Sequence, residues 1–111
     1  MTYSLIYEGI YTLTKYSIDI SKLAERDIWD ALSYIQEVLF QPESAKRTYS
    51  SIKEQILSLL AMPNRYSVIA EEPYTSMGVR KVCAENYLIF YIVNEKTKTV
   101  SIIRVLYNRR E

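Results

Sequence analysis

The sequence predicts an α+β fold: an antiparallel sheet, in the element order β-α-α-β-β-β, packed against an α-helical hairpin. Two consecutive segments repeat apolar residues at helical spacing, and three β-like runs separated by short polar turns fill the last third of the chain. Strands joined by such short turns must pair antiparallel, and two helices with a short connection must pack side by side. At 111 residues the chain can bury one core, so we expect a single domain.

The first half predicts one strand followed by two helices. Residues 15–20 alternate apolar and polar side chains, which is typical of a short strand with one buried face. Ser21 is then a suitable N-cap, because its hydroxyl can accept a hydrogen bond from the first helical turn. Apolar residues recur at helical spacing from residue 23 until Pro42, and again over residues 43–61.

The C-terminal third predicts a three-stranded meander. Its strands are expected at residues 79–84, 87–93 and 99–107, with turns at residues 85–86 and 94–98. The middle run is apolar on both faces apart from tyrosine hydroxyls, so we expect it to be the central strand. The helical hairpin then covers one sheet face and leaves the other partly open.

The composition excludes several kinds of active site. The chain has no histidine and one cysteine, so it cannot form a His- or Cys-based metal cluster, a Ser-His-Asp triad or a Cys-His pair. Neither of its two glycines stands between a strand and a helix, as a Gly-rich phosphate loop requires. We therefore expect neither a metal nor a cofactor.

Hydropathy and charge indicate the compartment and the half of the chain where an anion would bind. No stretch approaches the roughly 20 apolar residues of a membrane span, and the N-terminus lacks the basic start of a signal peptide. We therefore expect a cytoplasmic protein without membrane association.

Residues 1–60 carry six Lys/Arg and eight Asp/Glu, whereas residues 61–111 carry eight Lys/Arg and five Asp/Glu. Any anion-binding surface therefore belongs to the C-terminal half.

The cations and one tyrosine of the C-terminal meander are the candidate target-binding residues. They are Arg80, Lys81, Arg104, Tyr107, Arg109 and Arg110. Strand alternation places Arg80 and Lys81 on opposite faces of the sheet, and it separates Arg104 from Tyr107 in the same way. Tyr107 has neighbouring arginines, as a residue that stacks on nucleobases would need. The closing arginine pair is either a solvated chain end or a phosphate clamp.

Arg104 is unusual because alternation puts it in an apolar row. That row contains Val100, Ile102 and Leu106. We expect the guanidinium to have a partner, such as Asp19 or a C-terminal carboxylate, or an opening to solvent. The acidic residues of the first helix, Glu25, Asp27 and Asp30, are scattered around it, and we interpret them as a solvated face.

The order of these segments resembles a known superfamily. In chain order the segments are YSIDIS, LAERDIWDALSYI, MPNRY, GVRKV, YLIFYIV and VSIIRVLYNRRE. Together they resemble the RelE/ParE superfamily of type II toxin–antitoxin toxins. We interpret residues 15–111 as a single toxin domain and residues 1–14 as an N-terminal extension of unknown role. The resemblance implies a cognate antitoxin that wraps the toxin in a hetero-oligomer.

The resemblance also implies growth arrest, and the closing segment is more similar to the ParE branch. ParE-like members inhibit DNA gyrase, whereas RelE-like members cleave mRNA on the ribosome. The segment RVLYNRRE is similar to the ParE ending Arg-Val-Leu-His-x-Arg-Arg, with Tyr107 at the histidine position. Leu88 stands where RelE has an arginine. RelE also has a pair of lysines before the central strand, and at that place this chain has only Lys81, with Arg80 beside it. These departures favour a gyrase inhibitor, with a role in plasmid stabilisation, over an enzyme.

Two alternatives stay open. The first is a metal-independent endoribonuclease acting on ribosome-bound mRNA, in which Arg80 or Arg104 holds the phosphate and Tyr107 serves as acid or base. The second is a family member without toxicity that is kept as a binding module. No catalytic residue is assigned under the gyrase hypothesis, because such an inhibitor has no active site of its own.

Overall fold

The computed structural model describes residues 16–109, so the predicted extension at residues 1–14 and the candidate Arg110 lie outside the described part of the chain. The strands are β1 Ser17–Ile20, β2 Arg80–Ala84, β3 Tyr87–Asn94 and β4 Thr99–Tyr107. The helices are α1 Lys22–Ser33, α2 Pro42–Ser58 and α3 Tyr74–Met77, with a π-helical turn at Tyr34–Val38 and a 3-10 turn at Pro63–Arg65. This order confirms the α+β class.

The four strands form one sheet in the order β1-β4-β3-β2. β2 pairs antiparallel with β3, and β3 with β4, as their short turns require. β1 instead runs parallel to β4, with Ser17 opposite Thr99 and Ile20 opposite Ile102. The sheet is therefore mixed rather than antiparallel throughout. The short-turn rule constrains only strands that follow each other directly, and the helical hairpin and two strands separate β1 from β4.

Ser21 begins α1 and also fastens it to the sheet. Its Oγ accepts a hydrogen bond from the Ala24 N–H at 3.0 Å, which is the predicted N-cap contact. Its own N–H donates to the Ile102 carbonyl at 3.0 Å. Ala24 is completely buried, and this small side chain lets α1 lie close to β4. The start of α1 is thus held where the β1–β4 pairing ends.

The hairpin turns through a π-helical segment instead of continuing as an α-helix to Pro42. The Leu39 N–H donates to the Tyr34 carbonyl at 3.1 Å, a bond across five residues. Phe40 follows with a φ of 54°, in the left-handed region, and its side chain is 81 % exposed. Pro42 then opens α2, where its missing N–H removes no helical hydrogen bond.

One hydrophobic core lies between the helical hairpin and the sheet. Its large, fully buried side chains include Ile52, Leu59, Ile89, Tyr91, Val100, Ile102 and Val105. Each buried aliphatic side chain contributes about 1.5–3 kcal/mol, so this core holds the hairpin on one sheet face. No helix within residues 16–109 is long and apolar enough to cross a membrane.

The segment between α2 and β2 is predicted as a loop, and long-range hydrogen bonds give it two short helical turns. The buried Tyr91 hydroxyl donates to the Pro63 carbonyl at 2.8 Å. The Ile69 N–H donates to the Val79 carbonyl, also at 2.8 Å, which places α3 beside the start of β2. These partners are distant in sequence, so local spacing does not reveal them.

Candidate functional site

A β-bulge in β4 determines which side chains reach the open sheet face. Phe90 lies opposite Arg104, but the next residue, Tyr91, lies opposite Ile102, so Ile103 is an extra residue in β4. The extra residue shifts the side-chain alternation by one position. Arg104 therefore lies on the open face, and the prediction that it shares the row of Ile102 is wrong.

Arg104 is held by Asp27 of α1. The Arg104 Nε donates to Asp27 Oδ2 at 2.8 Å and its Nη2 donates to Oδ1 at 2.9 Å, a two-point contact. The Val105 N–H also donates to Oδ2 at 3.0 Å, where β4 has run past the end of β1. The expected partners, Asp19 or a C-terminal carboxylate, are therefore wrong. The interpretation of Asp27 as part of a solvated face is wrong as well, since its side chain is only 11 % exposed.

Burial and hydrogen bonding have opposite effects on the Asp27 carboxyl. Burial raises its pKa, but the hydrogen bonds from Arg104 and from the Val105 N–H outweigh that effect, so the pKa lies below its ordinary value of 3.8. The bond to Asp27 also raises the pKa of the Arg104 guanidinium. The pair is therefore charged at neutral pH, and it fixes a guanidinium that stays 40 % exposed.

Lys81 and Arg104 line one groove on the open face. Lys81, Phe90 and Arg104 are neighbours across β2, β3 and β4, and they border a groove of about 500 Å³. Its other lining residues are Ile69, Glu71, Tyr74, Val79, Ile103 and Leu106. The groove combines two cations with apolar walls. It suits an anionic group or a protein surface that is partly acidic and partly apolar.

Glu71 and Tyr74 also line the groove, although no pattern in the sequence identifies them. They come from the segment around α3, which the Thr75 hydroxyl stabilises by donating to the Ile69 carbonyl at 2.7 Å. A helix of four residues is too short to produce a periodic pattern. No signal in the sequence could therefore place these two side chains beside Lys81.

Arg80 lies on the opposite face from Lys81, as alternation predicts, and it stabilises a turn. Its Nη1 donates to the carbonyl of Tyr66 and, at 3.4 Å, to that of Asn64. These bonds hold the 3-10 turn against β2. The structure thus brings Lys81 and Arg104 together and leaves Arg80 outside the groove.

Tyr107 lies at the far end of β4, outside the groove. Its side chain is 62 % exposed, and its ring meets that of Tyr87 edge to face, with centroids 5.6 Å apart. Both rings line a separate cleft of about 580 Å³. Arg109 is exposed at the end of the described chain, and Arg110 is beyond it. Neither Tyr107 nor Arg109 is a neighbour of the Lys81–Arg104 groove.

The cations of the groove are suited to binding an anion. Among residues 16–109 no three or more His, Cys, Asp or Glu side chains form a group that could hold a metal ion. Tyr91 lies in the core and not in the groove; burial raises its pKa to about 12, and its hydroxyl donates to the Pro63 carbonyl. Lys81 and Arg104 can hold an anion, with Glu71 and Tyr74 beside them.

Residues 18–111 match the model of a family described as the ParE toxin of the type II toxin–antitoxin system parDE. This chain belongs to the ParE toxin family. The match runs from β1 to the C-terminus and includes every element that builds the groove. It confirms the resemblance of this ParE-family chain to the RelE/ParE superfamily.

Solved structures with the same fold accompany this family assignment. A chain of the chromosomal ParDE toxin–antitoxin system from P. aeruginosa has a TM-score of 0.65 and 26 % identity, covering 85 % of this ParE-family chain and 97 % of that chain. The RelBE2 toxin–antitoxin complex from Mycobacterium tuberculosis has a TM-score of 0.60 and 19 % identity, with 83 % and 96 % covered. The archaeal RelE–RelB complex from Pyrococcus horikoshii OT3 has a TM-score of 0.56 and 20 % identity, with 86 % and 98 % covered. The last two show the fold alone. No curated protein sequence gives a significant match.

Proposed function

We propose that this ParE-family chain arrests growth by binding and inhibiting DNA gyrase, and that a cognate antitoxin neutralises it. The observation that carries this proposal is the ParE family match over residues 18–111. The arrangement of the candidate residues supports it, because Arg104 is engaged by Asp27 while Tyr107 lies in a different cleft. Arg104 and Tyr107, the phosphate-binding and proton-transfer residues of the ribonuclease alternative, therefore do not share a site.

Gyrase supercoiling of relaxed plasmid tests the proposal directly. We expect the purified protein to block supercoiling, and its expression without an antitoxin to stop growth and induce a DNA-damage response. Lys81→Ala, or the double substitution of Arg109 and Arg110 with Ala, weakens the inhibition of gyrase if these residues bind the target. Lys96→Ala is the matched control, because Lys96 is an exposed lysine in the β3–β4 turn. Normal supercoiling in the presence of excess protein refutes the proposal.

We propose that the antitoxin docks on the outer face of the helical hairpin. Trp29 of α1 is 61 % exposed and Tyr49 of α2 is 47 % exposed. With Leu32 they line an apolar groove of about 460 Å³ between the two helices. Exposed aromatic patches of this kind serve as interaction sites, and a groove between helices accepts an amphipathic helix. The P. aeruginosa relative belongs to a toxin–antitoxin system, which supports the proposal of a toxin–antitoxin hetero-oligomer for this chain.

A second candidate function is metal-independent mRNA cleavage on the ribosome. The observation that favours it is the presence of Lys81, Arg104 and the Glu71 carboxylate in one groove. Under this candidate, Arg104→Ala keeps the fold but abolishes mRNA cleavage in a translating extract. Tyr107→Phe has little effect there, because Tyr107 lies outside the groove. If the wild-type protein cuts no mRNA in the extract, this candidate is excluded.

A third candidate, a family member without toxicity, is distinguished by growth alone. Expression without the antitoxin then causes no growth defect, whereas both toxin candidates predict arrest. Gyrase and ribosomes are cytoplasmic, so the proposed function places the chain in the cytoplasm. Growth arrest after loss of an antitoxin also provides the basis for a role in plasmid stabilisation.

A further inference from the structure

A cleft lined by three tyrosines lies where the hairpin turn, the β2–β3 turn and the end of β4 meet. Its volume is about 580 Å³, and its aromatic walls are Tyr34, Tyr87 and Tyr107. Tyr34 and Tyr107 are 51 % and 62 % exposed, whereas Tyr87 is buried at the base. Neither the Lys81–Arg104 groove nor the outer face of the hairpin includes these rings.

The three tyrosine rings line one shared space. Tyr87 and Tyr107 pack edge to face, with ring planes at 79° and centroids 5.6 Å apart. Burial raises the pKa of the Tyr87 hydroxyl, and the nearby phenol groups of Tyr107 and Tyr34 raise it further. Aromatic rings set at a steep angle to each other commonly bind a cationic group, because each ring face carries negative charge density.

The rim of the cleft carries a carboxylate and no cation. Glu85 and Asn86 of the β2–β3 turn line it, and none of its described lining residues is Lys or Arg. Lys46 and Arg47 line a shallow groove that Glu85 also borders. Neither forms an ion pair with Glu85 within the described part of the chain. The carboxylate is therefore available to a cation that enters the cleft.

Glu85 also occupies a strained backbone position. Its φ is 55°, in a two-residue turn where Asn, Asp or Gly is favoured. A side chain with a Cβ is disfavoured in the left-handed region. Strain that persists at an exposed turn is a reason to look for a functional use of the side chain. Here the residue with this backbone conformation is one of those that line the tyrosine cleft.

We propose that the tyrosine cleft binds the guanidinium of an arginine presented by a protein partner. A planar guanidinium stacks on tyrosine faces and donates two parallel hydrogen bonds to one carboxylate, which matches Glu85 beside three rings. A lysine ammonium satisfies the charge but cannot stack in the same way, so arginine is preferred. The chemistry of the cleft does not depend on whether gyrase is the target.

Titration of the full chain with N-acetyl-L-arginine amide, followed by NMR, tests the proposal. We expect saturable shifts of the backbone amides of residues 85–87 and of the Tyr107 ring signals. Glu85→Gln keeps the shape of the rim but removes the charge, and it weakens binding at least about fivefold. Tyr107→Leu also weakens binding, because it removes one exposed wall. Glu71→Gln, at the other groove, is the matched control and leaves the affinity unchanged.

Four outcomes overturn the proposal. Equal affinity for N-acetyl-L-norleucine amide, which has an uncharged stem, indicates an apolar cleft only. Equal affinity in Glu85→Gln shows that the carboxylate plays no part. The third is the lack of any saturable shift at the cleft up to about 50 mM probe. Finally, binding that appears only after both Arg109 and Arg110 are replaced with Ala shows that the chain's own end fills the cleft.

Discussion

At the scale of single residues, Asp27 completes a sheet edge and positions a cation at the same time. One carboxylate oxygen accepts from the Val105 N–H at 3.0 Å, and both oxygens hold the guanidinium of Arg104. Only an ionised carboxylate offers two charged acceptors in this arrangement. The position of Arg104 in the open-face groove therefore depends on a residue of α1 that itself lies outside that groove.

We predict that Asp27→Asn destabilises the protein in a pH-dependent way. An asparagine keeps one acceptor but loses the charge, so we expect the melting temperature at pH 7 to fall by about 5 °C. The folded-state pKa of Asp27 lies below the ordinary value of 3.8. The stabilisation is therefore complete above pH 3.8 and is lost as the pH falls through the lower folded-state pKa. Thermal unfolding of both proteins between pH 2 and 8 measures the difference.

Asp30→Asn is the matched control for this experiment. Asp30 is exposed on the same helix, and no ion pair of Asp30 is found in the described part of the chain. We expect its melting curve to follow that of the wild-type protein at every pH. A constant gap between Asp27→Asn and the wild-type protein down to pH 2 contradicts the role assigned to the Asp27 charge.

At the scale of secondary-structure elements, local conformational preference and tertiary structure conflict in the turn between α1 and α2. The π-helical turn Tyr34–Val38 accommodates one more residue than an α-helical turn. Phe40 then adopts the left-handed conformation with its side chain almost fully in solvent. A glycine or asparagine is the residue normally found at such a position. The conformation is therefore imposed by the packing of α1 and α2 and not by the preference of Phe40.

We predict that Phe40→Gly stabilises the protein. Glycine adopts positive φ without a Cβ clash, and little packing is lost because Phe40 is 81 % exposed. We expect a gain of about 0.5–1 kcal/mol in the free energy of unfolding, measured by urea denaturation. Phe40→Ala is the matched control, since it removes the ring but keeps the Cβ, and it brings no such gain. Equal stabilisation by both substitutions contradicts the role of backbone strain.

We predict that the outer face of α1 and α2 reports antitoxin binding through Trp29. This is the only tryptophan of the sequence, and it is 61 % exposed. Burial under a bound helix moves its fluorescence to shorter wavelength, so titration with the purified antitoxin follows the interaction directly. Trp29→Ala weakens antitoxin binding by at least about tenfold in calorimetry. Met77→Ala, an exposed apolar residue on α3, serves as the control and leaves affinity unchanged. An unchanged Trp29 emission at antitoxin saturation contradicts this docking site.

At the scale of the whole molecule, the Glu95 carboxylate connects three parts of the domain that are distant in sequence. The Tyr16 hydroxyl donates to Glu95 Oε1 at 3.0 Å, while Asn64 donates to Oε2 and Lys98 to Oε1, each at 2.9 Å. These hydrogen bonds lower the pKa of Glu95 to about 2. The carboxylate thus joins the first described residue, the 3-10 turn and the β3–β4 turn. The family match begins at residue 18, two positions further on.

We predict that deletion of residues 1–14 leaves the folded domain intact. Because the start of β1 is already held by Tyr16 and by the Ser17 N–H, which donates to the Lys98 carbonyl at 2.9 Å, the domain does not need the preceding residues. We expect the circular dichroism spectrum to stay unchanged and the melting temperature to shift by less than about 2 °C. Tyr16→Phe in the full chain provides a comparison that removes only the hydroxyl. A loss of cooperative unfolding on deletion contradicts the proposed boundary at residue 15.

The elements and their order could be predicted because their causes are local. Ser21 caps α1 and the Glu85-Asn86 turn joins β2 to β3, each through interactions among residues within a few positions of one another. Pro42 is predicted to end the first helix and instead opens α2. Hydrophobic spacing likewise identifies the buried faces, since its period follows from backbone geometry alone. The sequence also identifies the cations of the meander, but it does not show which of them lie together in one site.

The grouping of the candidate residues depends on contacts between distant parts of the chain. The bulge at Ile103 exists only in the pairing of β4 with β3, and it moves Arg104 to the face of Lys81. The partner of Arg104 is Asp27, 77 positions away. β1 is free to pair with β4 in parallel, since no short turn joins these two strands. Composition and periodicity thus determine the α+β class and the chemistry available to this chain. Strand register and long-range ion pairs decide which side chains share a site, because a one-residue shift in pairing exchanges the two faces of a strand.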